Sequence, residues 1–152
     1  MERICLFPGT FDPITKGHVD LIERSLPLFD KIIVGIGTNS TKQPMFTLEQ
    51  RMEWINNIFQ NEPKVEVGTY SGLTVNYCNE IGAKFIMRGI RYITDFEYER
   101  AIADMNRSLT NSVETIFLSC RPEYSTLSST LVREVLRYGG DVSEFLPEAV
   151  KP

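Results

Sequence analysis

The chain has 152 residues, the length of one domain, and is 42% hydrophobic and 24% charged, an ordinary balance for a soluble globular chain. Its net charge of −4 argues against a nucleic-acid partner, which needs a basic face. No apolar run approaches the roughly 20 residues that span a bilayer and no leader pattern is seen, so no membrane contact and a cytoplasmic setting are expected.

The first apolar run, Ile4–Phe7, predicts a buried strand. The loop after it, Pro8–His18, holds two glycines, the Asp12-Pro13 turn and the only histidine of the chain. Thr15 reads as an N-cap for a helix over Val19–Leu26, with Gly17 and His18 in its first turn and Pro27 as its stop. A strand opening through glycine onto a helix N-terminus is an anion site, because N–H groups there are unpaired and the helix dipole favours negative charge. Further strands are predicted at Ile32–Ile36, Val65–Val67, Phe85–Met87 and Thr115–Leu118. The intervening helices are Leu48–Phe59, Leu73–Ile81 and Asp95–Leu109, and Ser129–Tyr138 follows the last strand. Thr47 to Gln50 and Thr94 to Glu97 read as capping boxes, and Gly139-Gly140 as the stop of the last helix.

Strand and helix alternate throughout, and most of the strands are continuously apolar. That predicts an α/β fold: a single Rossmann-like, doubly wound domain over residues 1–152, with a five-stranded parallel sheet flanked by helices. Residues 1–138 form the core and 139–152 a C-terminal docking segment. Cys5, Cys78 and Cys120 are odd in number and far apart, which fits free buried thiols in a reducing compartment. Ligands of such sheets bind at the carboxyl ends of the strands. That rule selects the loops Pro8–His18, Thr38–Phe46, Arg88–Thr94 and Ser119–Ser129. The dinucleotide-binding G-x-G-x-x-G and the P-loop pattern are both absent from the first of them.

Gly9 to Pro13 followed by Thr15-Lys16-Gly17-His18 resembles the Thr/His-x-Gly-His signature of nucleotidyltransferases, with Thr in the first place. The chain is similar over nearly its whole length to the bacterial phosphopantetheine adenylyltransferase family. Lys42 to Thr47, Arg88 to Arg91, Asp95 to Glu99, Met105 to Arg107 and Tyr124 to Thr130 recur in order and spacing. The resemblance implies transfer of an adenylyl group from ATP to 4′-phosphopantetheine, giving dephospho-coenzyme A and pyrophosphate. His18 would stabilise the transition state at the α-phosphate. Backbone N–H groups of Thr10 and Phe11 would hold nucleotide phosphate, and the Thr10 hydroxyl would orient the attacking phosphate.

By the same resemblance Lys42, Thr74 and Arg88 form the acceptor site with Thr10. Gly89, Ile90, Arg91 and Glu99 bind ATP, as do Tyr124, Ser125, Thr126, Leu127, Ser128, Ser129 and Thr130, the last three hydroxyls as a cradle for the β- and γ-phosphates. Leu73 would join the pantetheine wall and Asn106 would order the region around Glu99. Glu97 is expected to be structural, at its capping position. No residue spacing suits a protein-held metal, and Mg²⁺ is expected to ride on the nucleotide phosphates. A homohexamer and coenzyme A as a feedback ligand are implied by the family. Two other readings remain at this stage: a related nucleotidyltransferase with another acceptor, and a non-catalytic adenine-nucleotide-binding domain.

Overall fold

The computed structural model describes residues 1–38 and 43–152. Among the described residues ten β-strands and α-helices alternate: β1 (Ile4–Gly9), α1 (Lys16–Ser25), β2 (Lys31–Gly37), α2 (Leu48–Ile58), β3 (Val65–Tyr70), α3 (Thr74–Ile81), β4 (Phe85–Ile90), α4 (Ile93–Leu109), β5 (Glu114–Ser119) and α5 (Ser129–Arg137). All strand pairs are parallel, in the order β3-β2-β1-β4-β5. The expected α/β sheet is therefore present.

Side chains of successive strand residues point to opposite faces, and the core divides on that alternation. Cys5, Phe7, Ile32, Val34, Ile36 and Met87 enter the larger cluster, with Ile22, Trp54, Ile55 and Val132 of the covering helices. Leu6, Ile33 and Ile86, one residue out of phase, enter a smaller cluster with Cys78 and Ala83. Burial on both faces explains why these strands read as continuous apolar runs. The second face is thinly covered, and α4 contributes no buried residue to it. Val142, Leu146 and Val150 of the C-terminal segment pack into the larger cluster. There the Phe145 carbonyl accepts the otherwise orphaned N–H of Lys16, the first residue of α1.

Several boundaries differ from the sequence reading. β4 runs on through Arg88, Gly89 and Ile90, which pair with Phe117, Leu118 and Ser119 of β5. A ladder joins backbones and does not require apolar side chains, so Arg88 and Gly89 lie within the strand and not in the loop after it. Helix α4 starts at Ile93, ahead of the expected Asp95. The Asp95 carboxylate reaches back to the N–H groups of Arg91 and Tyr92, at 3.1 and 3.2 Å. Asp95 thus takes the capping position expected of Glu97, which is exposed. Helix α1 also starts early, at Lys16, because Thr15 caps it. At the end of α5, Gly139 at φ +74° and Gly140 return their N–H groups to Leu136 and Val135, as expected of a glycine stop. Cys5 and Cys78 are free and buried, and Cys120 is free and half-buried.

Candidate active site

The chain runs outward from β1 to β3 and then returns to place β4 on the other side of β1. Beside β2, β1 is in register over its whole length, from Ile4 to Gly9. Beside β4 it is in register only at Cys5 and Leu6. The two strands therefore part toward their carboxyl ends, and a crevice opens at this switch in strand order. Two cavities occupy it, of about 430 and about 400 Å³. They share Pro8, Gly9, Arg88 and Glu99 as a common wall.

The first cavity is lined by Phe11, Gly17, His18, Gly89 and Arg91, and across from them by Tyr124, Leu127, Ser128 and Ser129. His18 sits at the third position of α1, and its local bonds fix its chemistry. Its N–H is donated to the Thr15 hydroxyl at 3.4 Å, and its Nδ1 accepts the Thr15 backbone N–H at 3.0 Å. An Nδ1 that accepts leaves the proton of the neutral ring on Nε2. The rings of Phe7 and Phe11 stand edge-on to the imidazole, with centroids at 6.2 and 5.0 Å. Burial, followed by the nearby positive charges of Arg88 and Arg91, lowers the His18 pKa to about 4. At neutral pH His18 is thus a neutral, oriented N–H donor.

Arg88 is held at three points. Its Nε and Nη2 donate to the two Glu99 carboxylate oxygens at 2.9 and 2.7 Å, and its Nη1 donates to the Pro8 carbonyl at 2.8 Å. The last bond bridges the gap where β1 and β4 separate. Glu99 holds the guanidinium plane from the far side, so the fork is fixed before any ligand arrives. Arg91 donates to Asp95 at 3.4 Å and to the Leu127 carbonyl at 3.2 Å, tying the end of β4 to the loop before α5.

The second cavity takes in Thr10, Thr74, Arg88 and Glu99, with Ile102, Ala103 and Asn106 of α4. Thr74 opens α3, and its hydroxyl lies 3.1 Å from that of Tyr70. Asn106 is therefore on the Thr10 and Thr74 side, away from His18. Leu73 is more than half exposed and lines neither cavity. Lys42 lies outside the described residues.

The three hydroxyls at the start of α5 have separate tasks. Ser128 caps the helix by accepting the Leu131 N–H at 3.1 Å. Ser129 donates to the Pro13 carbonyl at 2.7 Å, and the Thr130 hydroxyl accepts from Arg133 at 3.3 Å. Ser128 and Ser129 line the His18 cavity, whereas Ile90, Ser125, Thr126 and Thr130 do not. Thr126 faces a different groove, with Leu131 and Phe145.

Several residues that shape the crevice escape a reading of the sequence. Asp12, which reads as part of a turn, is 3% exposed, and its carboxylate accepts the N–H groups of Met45 and Phe46 at 2.8 and 3.0 Å. Its own carbonyl accepts from Arg133 at 2.8 Å. Arg51 is equally buried and reaches the Thr10 carbonyl. Aspartate before proline and helical spacing at Arg51 are the only signals the sequence offers for either. Among the described residues no group of three or more His, Cys, Asp or Glu could hold a metal ion. No described helix is long and apolar enough to cross a membrane.

A parallel sheet with phosphate-competent groups at its strand-order switch defines a nucleotide-handling α/β domain. The profile of the cytidylyltransferase-like family matches residues 6–135. A phosphopantetheine adenylyltransferase of Flavobacterium psychrophilum is 52% identical over 149 residues, which is 98% of each chain. One from Lachnoclostridium phytofermentans is 44% identical over 148 residues, covering 97% of this chain and 91% of that one. Among solved structures, a Vibrio parahaemolyticus protein assigned as a nicotinate-nucleotide adenylyltransferase superposes with a TM-score of 0.72 at 22% identity, covering 98% and 96% of the two chains. A bifunctional NMN adenylyltransferase/ADP ribose pyrophosphatase from Francisella tularensis gives 0.68 at 20% identity, with this chain spanning 45% of its length. At these identities the two structures establish the shared fold only. The chain belongs to the cytidylyltransferase-like family of nucleotidyltransferases and, within it, to the phosphopantetheine adenylyltransferases.

Proposed function

We propose that the chain transfers the adenylyl group of ATP to 4′-phosphopantetheine, forming dephospho-coenzyme A and pyrophosphate in coenzyme A biosynthesis. Beside the family membership, one observation carries the reading: two cavities meet at Arg88, with the His18 donor on one side and Thr10 and Thr74 on the other. A transfer between two bound phosphates needs that arrangement. The acceptor phosphate attacks the α-phosphorus in line, and the bond from that phosphorus to the bridging oxygen breaks as pyrophosphate leaves. The attacking phosphate is already an anion, so no base has to remove a proton. Catalysis then rests on positioning and on charge stabilisation.

In this reading the Nε2–H of His18 donates to a non-bridging oxygen of the α-phosphate. Phe11 N–H and Gly89 to Arg91 hold the nucleotide, with Tyr124, Leu127, Ser128 and Ser129 closing its far side. Arg88, Thr10, Thr74 and Lys42 hold the acceptor phosphate and its arm. Glu99, which the resemblance gives to the nucleotide, is better supported as the counter-ion of Arg88. Mg²⁺ carried on the triphosphate would supply charge neutralisation there. The carboxylates at the crevice are engaged by protein groups, Glu99 with Arg88 and Asp95 with Arg91. That donor set suits an ion carried on phosphate oxygens and water. Coenzyme A bears the same pantetheine arm and is read as a competitor at the second cavity. Three free thiols fit a cytoplasmic setting.

Self-association, which the family resemblance sets at a homohexamer, is supported as association by the apolar side chains that α4 exposes. Ile93, Tyr98, Met105 and Leu109 are each more than half exposed along it. Light scattering should give a multiple of the 17.4 kDa chain mass that falls on Met105→Glu. The function is tested by pyrophosphate release from ATP with 4′-phosphopantetheine, glycerol phosphate or nicotinamide mononucleotide as acceptor. Release with the first alone is expected. Faster release with either of the others overturns the acceptor assignment, and none with any acceptor leaves a nucleotide-binding domain.

A further inference from the structure

Arg51 stands on α2, away from both cavities, yet it is only 5% exposed. Its Nη1 donates to the Thr10 carbonyl at 2.8 Å, and its Nε to the carbonyls of Phe46 and Thr47 at 3.1 and 3.3 Å. No carboxylate among the described residues pairs with it within ion-pair distance. A guanidinium buried with carbonyls as its bonded partners, and the Asp12 and Glu49 carboxylates acting on it only through space, is a costly way to fill space, and an apolar side chain would do so more cheaply. Its placement calls for a reason beyond packing.

The peptide it grips supplies one. The Thr10–Phe11 peptide is planar, so its C=O and N–H point in opposite directions. Holding the carbonyl against α2 turns the Phe11 N–H to the other side, and Phe11 is a wall of the His18 cavity. Phe11 has φ +49°, a left-handed conformation that a phenylalanine does not hold without external restraint. The Asp12 carboxylate, bonded to Met45 and Phe46 N–H, fixes the next residue to the same segment that Arg51 grips from behind. A cationic donor on the carbonyl also polarises the amide and strengthens its N–H as a donor.

We infer that Arg51 is a positioning residue for the adenylyl transfer: through the Thr10 carbonyl it aims and polarises the Phe11 N–H, making it a preset donor for nucleotide phosphate. The inference rests on the reading that Phe11 N–H meets phosphate, and it adds a second element, α2, to the machinery of the β1–α1 loop. Arg51 touches no substrate itself. Its contribution is confined to ligands that bear phosphate at that place.

The test compares ATP with adenosine, each titrated calorimetrically into wild-type protein and Arg51→Lys. Lysine keeps the charge but cannot serve three carbonyls in fixed directions. With folding verified by thermal unfolding, ATP should bind about tenfold more weakly to Arg51→Lys, the loss expected of one misdirected bond to a charged acceptor. Adenosine affinity should stay within about twofold. Equal weakening of both ligands would show a merely structural role, and unchanged ATP affinity would show none; either overturns the inference. If the variant does not fold, the wild-type protein decides by ¹⁵N-resolved NMR with inorganic pyrophosphate. A downfield move of the Phe11 amide proton supports the assignment, and an unmoved resonance overturns it. Neither measurement needs the acceptor. A wild-type protein that binds ATP but releases no pyrophosphate would therefore sink the proposed function and leave Arg51 to be judged on binding alone.

Discussion

His18→Asn separates the two jobs of the histidine. In α1, Nδ1 accepts the Thr15 N–H while Nε2 carries the proton. An asparagine oxygen can take the place of Nδ1 as the capping acceptor, but nothing replaces the Nε2–H. The variant should therefore fold, while its turnover falls by roughly 10²–10³, the usual loss for one preorganised donor at a developing charge. The second consequence is a pH effect. The His18 pKa is lowered from 6.5 to about 4 by burial and by Arg88 and Arg91. The difference between those two values corresponds to about 3 kcal/mol. The sign follows from proton counting: between those two values the unfolded chain holds a proton on His18 that the folded chain refuses. This contribution to stability is complete above about pH 6.5, is lost as the pH falls toward 4, and loses nothing further below that. Carboxylates titrate alike in wild type and variant, so the difference between the two isolates the histidine. Urea unfolding at pH 7 and pH 4.5 should show wild type losing about 2–3 kcal/mol more than His18→Asn. Because the chain has one histidine, its Cε1 proton signal can be followed without assignment. A midpoint near 6.5 in the ligand-free protein, or parallel losses in the two proteins, would refute the account of a neutral donor.

The Arg88–Glu99 pair should show coupling of about 1–2 kcal/mol in a stability cycle built on Arg88→Lys and Glu99→Gln, since both bonds of the fork are lost together; a value near zero would mean that water screens the pair. Gly89→Ala drives a methyl into Cδ1 of the buried Leu21, one turn below His18. It should cost about 1–3 kcal/mol in thermal or urea unfolding, with part recovered in the double variant with Leu21→Ala; full stability would show that Leu21 yields freely. Leu146→Ala should cost about 2–4 kcal/mol, because that side chain is 3% exposed within the larger core. An unchanged unfolding midpoint would mean that the C-terminal segment is dispensable to the fold.

Much of the site is legible in the sequence because its signals are local. A strand, a glycine, a capping threonine and a histidine three residues on lie within one short segment, and the Thr15–His18 bonds are made as the spacing demands. The five strands are legible for a similar reason, since burial on both faces leaves runs without polar interruption. The start of α4 is ambiguous in the sequence because two acidic residues, Asp95 and Glu97, both lie within capping reach of it. The shorter one folds back onto Arg91 and Tyr92 N–H, which spacing alone does not decide.

What the sequence hides has one physical character: side chains that serve distant backbone carbonyls. Arg51 meets Thr10, Arg88 meets Pro8, Arg91 meets Leu127, Arg133 meets Asp12 and Ser129 meets Pro13, across separations of 36 to 121 residues. A carbonyl is the same at every position, so the acceptor leaves no mark on the residue that carries it. Only the donor is visible, and an arginine on a helix looks solvated until the fold shows where it ends. The opening of β1 from β4 accounts for one of these bonds, that of Arg88 to Pro8. Past Leu6 the two strands no longer pair, and there the Pro8 carbonyl accepts from the Arg88 side chain. Of the arginines that make such bonds, Arg88 and Arg91 also line the first cavity, whereas Arg51 and Arg133 line neither. The same separation that opens the crevice therefore sets the Arg88 guanidinium in the common wall of its two cavities.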